Sequence, residues 1–365
     1  MISKGLFVSH RGVGLCCTNK DKYPMSSTDF WTGEIRKTAL EDMEKGKHVK
    51  GCDSCYYNES KNDISHRNLY NSYNDLPLKN LPTMLDLDFS NFCNLKCVMC
   101  DASRSSQWAK DEGAPNNGIS TVSQNFIDNL IEISGEVTEI EIQGGEPSIM
   151  KEYEYYFENL SKRNLTKNIN LRIVTNVTNI NKKFYALLET FKSVKLNVSI
   201  DAFGLANTYI RWPSNFDQIE KNLIKMSDLN KVVSVEIFNS LNLLSLFNYG
   251  QFLNWCKKIE KIYEDKNQYF SVQVMKVTYP KKYNPFIAPH SLKEKFQDDV
   301  RSFFTNNRFK HNINFKTENS LIARRMLATQ PDEDALQDLR NTVEHLDTKR
   351  NVKITNYIPD FYNYL

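Results

Sequence analysis

From Thr83 onward the chain alternates between two kinds of segment. Short β-branched runs whose apolar residues recur at every second position read as strands: Met84–Phe89, Thr138–Gln143, Asn170–Thr175, Lys195–Ile200, Val232–Phe238 and Ser271–Val277. Between them, Ser123–Ile133, Lys151–Arg163, Ile180–Phe191, Asn215–Leu229 and Leu244–Tyr263 repeat apolar residues with the period of a helix. Strands that each lead into a helix predict an α/β fold with a parallel sheet and right-handed crossovers. Beyond the sixth strand, Pro280, Pro285 and Pro289 interrupt regular structure before a helix over Leu292–Phe304. Residues 317–348 read as charged helix, and the aromatic-rich end after them is expected to pack back on the fold.

Residues 1–80 lack this repetition. They hold Gly12, Gly14, the pair Cys16-Cys17, a helix-like run Asp29–Lys45 and the segment from Gly51 to Tyr56, which carries Cys52 and Cys55. The pattern divides the chain into a leader of 1–80, a repeating domain of 81–285 and an extension of 286–365.

Composition narrows the class. A length of 365 residues allows one large domain with an appendage. With 47 basic and 44 acidic residues and no long run of one sign, charge gives no indication of a nucleic-acid partner. No apolar run approaches the ~20 residues that span a bilayer, and the first residues lack an uninterrupted apolar signal core. A cytosolic location without membrane insertion is expected. Seven of eight cysteines are clustered, which in that compartment predicts metal ligation rather than disulfides. The eighth, Cys256, lies beside Trp255 on an amphipathic run and reads as a core residue.

The densest chemistry follows the first strand of the repeating part. Cys93, Cys97 and Cys100 stand at C-x3-C-x2-C on a loop leaving that strand's C-terminal end. Three thiolates from one loop can hold three corners of a cubic four-iron four-sulfur cluster and leave the fourth iron open. A zinc site or three structural cysteines are the alternatives, and zinc normally takes a fourth ligand. Gly144-Gly145-Glu146-Pro147 follows the second strand, where paired glycines admit close backbone approach and a carboxylate can accept from an ammonium. Thr175-Asn176 ends the third strand, and Ser199-Ile200-Asp201 ends the fourth, with Arg211 ten residues after Asp201. Taken alone, Asp201 reads as a helix cap and Arg211 as a solvated charge. Asn239 and Asn242 after the fifth strand suit adenine, a substrate or a helix cap.

The three-cysteine spacing resembles the signature of the radical S-adenosylmethionine superfamily. That resemblance implies a partial (β/α)6 barrel with function at the C-terminal strand ends. It implies a cluster on Cys93, Cys97 and Cys100 that cleaves S-adenosylmethionine to methionine and a 5′-deoxyadenosyl radical. Met99 stands where the family usually has an aromatic residue, as an apolar contact to cluster or adenine. Gly144, Gly145, Glu146 and Pro147 would hold the methionine amino group, and Arg211 its carboxylate through a planar fork. Thr175, Asn176, Ser199, Asp201 and Asn242 would complete the cofactor site. The leader resembles the auxiliary-cluster modules called SPASM and twitch, which implies a second cluster on Cys52 and Cys55 with Cys16, Cys17 or both, four-iron four-sulfur if all four contribute; a four-cysteine zinc site and a plain reduced dithiol are the alternatives. Relatives with such modules often modify peptides or proteins, so a peptide or protein substrate is expected, with a nucleotide or small metabolite as the alternative. The electron donor expected is a flavodoxin or ferredoxin. A non-catalytic iron–sulfur electron carrier is disfavoured, because it has no use for an open iron.

Overall fold

The computed structural model describes residues 4–61, 65–70, 80–179 and 181–365. Ile180, where the sequence places the start of a helix, lies outside the described residues. The chain divides into two compact units. One comprises Met1–Asn94, Ala102–Val174 and Asn181–Lys195, the other Leu95–Asp101, Thr175–Ile180 and Leu196–Leu365.

Ten strands occur among the described residues: β1 (Gly5–Ser9), β2 (Gly12–Gly14), β3 (Met84–Asp88), β4 (Lys96–Cys97), β5 (Glu139–Ile142), β6 (Asn170–Thr175), β7 (Ser193–Ser199), β8 (Arg211–Trp212), β9 (Val232–Leu241) and β10 (Tyr269–Lys276). β1, β2, β3, β5 and β6 share a mostly parallel sheet in the first unit, β9 and β10 pair in parallel in the second, and β4 and β8 form a separate antiparallel pair. The expected α/β class therefore holds, and the six strands read from the sequence are all present with no end shifted by more than three residues.

In the first unit the strand order is β6-β5-β3-β1-β2. The leader was expected to stand apart from the βα pattern, but it contributes two strands. Gly5–Ser9 runs parallel to Met84–Asp88, residue for residue. The chain then turns back through His10 and Arg11 into β2, with Gly12 at φ +123° and so close to Tyr23 that a Cβ would lie 2.6 Å from its carbonyl oxygen. The run over Asp29–Lys45 is two helices, Ser27–Thr32 and Glu34–Glu44, rather than one. The break falls at Gly33, where a Cβ would stand 2.4 Å from the Asp29 carbonyl oxygen. Gln124–Glu132 is capped by Ser123, whose hydroxyl accepts from the Phe126 amide at 3.3 Å. On the helix Lys151–Lys162, Tyr153 is fully buried against Phe89 at 4.7 Å between ring centroids. Its hydroxyl donates to the carbonyls of Leu87 and Gln143 at 2.8 and 2.9 Å, which ties together the C-terminal ends of β3 and β5.

In the second unit β9 and β10 are parallel, with Ser234 opposite Tyr269 and Leu241 opposite Lys276. The backbone after β7 joins β9 where the Ile200 amide donates to the Phe238 carbonyl at 3.1 Å. Helix Phe216–Met226 begins at Asn215, whose side chain accepts from the Gln218 amide. The helix expected over Leu244–Tyr263 starts as a 3₁₀ segment, Leu243–Asn248, before Tyr249–Glu264 continues as α-helix. The extension forms His290–Asn306, Phe315–Leu327 and Glu333–Arg350, the last two separated around Pro331, so residues 317–348 are two helices. The aromatic end does pack back within this unit: Tyr357 lies 5.6 Å from Tyr209 and Phe361 5.9 Å from Phe247, centroid to centroid. No helix among the described residues is long and apolar enough to cross a membrane.

Candidate functional site

The cysteine loop crosses from one unit to the other between Asn94 and Leu95, so its two parts are described separately. In the first unit, Cys93 is buried and its amide donates to the Ser106 hydroxyl at 3.2 Å. The Gly144–Pro147 turn is pressed against the backbone that leads into Cys93. The Gly145 amide donates to the Ser90 carbonyl at 3.0 Å and the Glu146 amide to the Phe92 carbonyl at 2.8 Å. A Cβ on Gly145 would lie 2.0 Å from the Phe92 carbonyl oxygen, and one on Gly144, at φ +110°, 2.5 Å from Asp88 Oδ1. Only glycine fits either position. The Glu146 carboxylate is buried and accepts from the amide and hydroxyl of Ser148 at 3.1 and 2.6 Å, capping the 3₁₀ turn Pro147–Ile149.

Asp88, at the end of β3, was not singled out in the sequence. It is buried with Oδ1 unpartnered, and burial raises its carboxyl against the opposing pull of His10, Arg104, Arg11 and Lys22. Its only sequence signal is a second acidic residue in an otherwise apolar strand.

In the second unit, Cys97, Asp201 and Arg211 come together. Residues Lys96–Cys97 pair antiparallel with Arg211–Trp212, and Cys97 stands opposite Arg211. Arg211 is only 9% exposed, with Nε 2.7 Å from Asp201 Oδ2, Nη2 donating to Asp201 Oδ1 at 3.0 Å and Nη1 approaching Cys97 Sγ at 3.8 Å. Burial opposes the guanidinium charge, yet the Asp201 carboxylate and Cys97 hold Arg211 above its ordinary value. The fork expected to meet a methionine carboxylate meets Asp201 here. Asp201 is no helix cap, since Phe203 occupies the N-cap of Gly204–Ile210. It is instead clamped: its carboxylate also accepts from the Ser240 amide at 2.8 Å, and its own amide donates to Asn207 Oδ1 at 3.0 Å. Burial pushes the Cys97 thiol up to about 12, with Arg211 as the main opposing influence. The Cys100 amide donates to the Cys97 carbonyl at 3.0 Å.

The remaining expected cofactor residues of this unit are placed less tightly. Thr175 and Asn176 are buried, Thr175 Oγ1 accepting from the Val177 amide and Asn176 Oδ1 from Thr178. Ser199 and Met99 are half-buried. Asn242 caps the 3₁₀ segment Leu243–Asn248 in a capping box with Ser245, and its amide donates to the Ser240 carbonyl at 2.9 Å.

The leader holds a second group of thiols, all in the first unit. Cys52 and Cys55 are buried and Cys16 and Cys17 half-buried, and none of the four is in a disulfide. Burial raises the Cys52 thiol, opposed by Asn19, whose Nδ2 approaches its sulfur at 3.7 Å, while Cys16 and Cys55 raise it further. Lys22 donates to the Cys16 carbonyl at 3.0 Å; burial lowers its ammonium while Cys16 and Cys17 support it. Among the described residues no three His, Cys, Asp or Glu side chains converge as a single metal ion requires. The donor chemistry of the Cys93–Cys100 loop fits iron–sulfur ligation, since it offers three thiols outside disulfides with a cationic donor at the Cys97 sulfur.

An α/β protein with a three-cysteine loop following a strand end is of the kind that binds an iron–sulfur cluster. The family model described as Radical SAM superfamily matches residues 87–241, so this stretch of the chain carries the superfamily's domain. The superfamily implies a 4Fe–4S cluster and S-adenosylmethionine. No curated protein matched the chain. Three solved structures show a loose likeness. Native anSMEcpe with bound AdoMet and Cp18Cys peptide is 15% identical, with 65% of this chain and 61% of that chain covered at a TM-score of 0.38. Streptococcus suis SuiB bound to S-adenosylmethionine is 17% identical, with 76% and 60% covered at 0.37. The radical S-adenosylmethionine methyltransferase TsrM from Kitasatospora setae is 9% identical, with 56% and 38% covered at 0.37. The chain spans about three fifths of the length of the first two.

Proposed function

We propose that this enzyme reductively cleaves S-adenosylmethionine and abstracts hydrogen from a peptide or protein substrate, with an auxiliary cluster in its leader. The observation that carries the cleavage is the buried Arg211, locked on Asp201 and directed at Cys97 Sγ, because a permanent cation beside a thiol stabilises it as a thiolate ligand. Cys93, Cys97 and Cys100 would hold the cluster, which would supply the electron for reductive cleavage of bound S-adenosylmethionine. Gly144 and Gly145 bring backbone close to the Asp88–Phe92 segment, and the turn they form with Glu146 and Pro147 orients the methionine amino end. Asp201 holds Arg211, and Met99, Thr175, Asn176, Ser199 and Asn242 line or brace the remainder of the cofactor site. The four leader thiols support the second cluster, and the peptide reading rests on that module. The reductant is a flavodoxin- or ferredoxin-type donor. Anaerobically reconstituted, reduced protein is expected to convert S-adenosylmethionine to 5′-deoxyadenosine slowly without substrate. Persistence of that product when Cys93, Cys97 and Cys100 are all Ala would overturn the assignment.

A further inference from the structure

We propose that the C-terminal extension reaches back through Arg350 to position the cluster-ligand loop and to place a second permanent positive charge near Cys97. This rests on the reading of Cys97 as a cluster ligand. Arg350 is the last residue of the helix Glu333–Arg350, which ends in the left-handed Asn351 at φ +53°. Its guanidinium donates from Nη1 to the Tyr209 carbonyl at 2.9 Å and from Nη2 to the Lys96 carbonyl at 3.2 Å. Lys96 precedes the ligand Cys97, and Tyr209 lies two residues before Arg211. One planar group thus bridges the two segments that pair as Lys96–Cys97 and Arg211–Trp212, beside the bond from the Val98 amide to the Ile210 carbonyl at 2.8 Å.

The staple is itself held. The guanidinium sits 5.1 Å from the Tyr209 ring centroid and 5.3 Å from that of Trp212. Asp347, one turn earlier on the helix, accepts from the Tyr209 hydroxyl at 2.8 Å through Oδ1 and from the Ile354 amide at 2.8 Å through Oδ2. A lysine could carry the charge but not reach both carbonyls in one plane. Fixed positive charge near Cys97 favours the reduced, more negative cluster, so Arg350 raises its reduction potential. The extension lies outside residues 87–241, which makes it a contribution of this chain's own to the superfamily domain.

The test is an EPR-monitored redox titration of anaerobic holoprotein, following the signal that changes when S-adenosylmethionine is added, together with iron analysis. Arg350→Met should keep the iron and shift the midpoint of that signal to more negative potential. Arg350→Lys should recover part of the shift but not the wild-type line shape. A wild-type midpoint in Arg350→Met overturns the electrostatic role, and full recovery of midpoint and line shape in Arg350→Lys overturns the positioning role. Should Arg350→Met not fold, Arg350→Gln, which keeps a planar donor without the charge, carries the same expectation and the same overturning result. Wild-type protein with no S-adenosylmethionine-responsive signal would instead overturn the ligand reading of Cys97, an outcome distinct from an unmoved variant.

Discussion

Two regions of this molecule hold thiols by different physical means. In the second unit Cys97 faces a guanidinium that cannot lose its charge, fixed by Asp201 on a short antiparallel pair. In the leader the donor at the Cys52 sulfur is the neutral amide of Asn19, with Arg67 a weaker electrostatic influence, and Lys22 is occupied by the backbone carbonyls of Cys16 and Asn19. A permanent charge at the sulfur biases a cluster toward its reduced state, whereas an amide donor orients the ligand with little electrostatic bias. On the proposed function, the contrast fits a reducing centre at the Cys93–Cys100 loop and, if the leader binds a cluster, a passive or relaying one there, and each prediction below is a way to break it.

The largest separation is expected between Cys97→Ala and Cys52→Ala. The first should lower substrate-free 5′-deoxyadenosine formation by at least about 100-fold, since the cluster loses one of three ligands. The second should leave that uncoupled rate within about twofold while removing iron from the leader. Equal losses in both, measured by product chromatography and Mössbauer spectroscopy, would merge the two sites into one and end the comparison.

Next in size is the buried ion pair. Asp201→Asn leaves the Arg211 guanidinium buried with a weaker partner, and removing one member of such a pair costs about 3–5 kcal/mol. Chemical denaturation should show a drop of that order, whereas Glu59→Gln, which disturbs the half-exposed Glu59–Arg67 pair of the leader, should cost under about 1 kcal/mol. Arg211→Lys, keeping the charge without the fork, should weaken S-adenosylmethionine binding about tenfold at unchanged iron content, as read by titration calorimetry.

The same contrast should be visible without metal. Burial pushes the Cys97 thiol up to about 12, so at pH 8 only about one thiol in ten thousand is ionised. The thiolate is the reactive form, and alkylation of Cys97 in metal-free protein should therefore be slow at pH 8 and quicken about tenfold per pH unit up to 10. Arg211→Met removes the main influence opposing burial and should slow it further. Peptide mass spectrometry after iodoacetamide treatment reads both effects, and fast labelling of Cys97 at pH 8 would contradict them.

Which parts of this picture could be read from the sequence follows from the range of the interactions. β6 was legible to the residue because Asn170–Thr175 alternates buried and half-buried positions on its own. The cysteine spacing and the glycine pair were legible because their chemistry is local. β1 was not, since Gly5–Ser9 is buried throughout and carries no alternation; its identity as a strand comes from Met84–Asp88, some 79 positions away. The break at Gly33 depends on a single close approach to Asp29 that helical periodicity does not report. Arg350 was invisible for the same reason, as its carbonyl partner Lys96 lies 254 positions earlier and the local sequence Thr348-Lys349-Arg350 reads as an ordinary basic helix end.

The smallest expected effect tests the leader alone. Asn19 is almost wholly buried; its amide nitrogen serves both the Lys50 carbonyl at 3.1 Å and Cys52 Sγ at 3.7 Å, and its oxygen accepts from the Asp21 amide at 2.9 Å. Gly51, at φ +78°, passes so close that a Cβ would lie 2.7 Å from Asn19 Nδ2, so the side chain is wedged into one orientation. Asn19→Ala deletes these bonds together but leaves space rather than a charge, and a net loss of about 1–3 kcal/mol in stability follows. Since no permanent charge is removed, the S-adenosylmethionine-responsive signal should keep its midpoint while the leader's cluster spectrum broadens or shifts. Asn19→Asp is the sharper version, because it sets a carboxylate beside Cys52 and should repel a thiolate that the amide only orients. If either variant moves the barrel signal as far as Arg350→Met does, the two thiol regions are one electrostatic system and the distinction between a charged and a neutral cradle is lost.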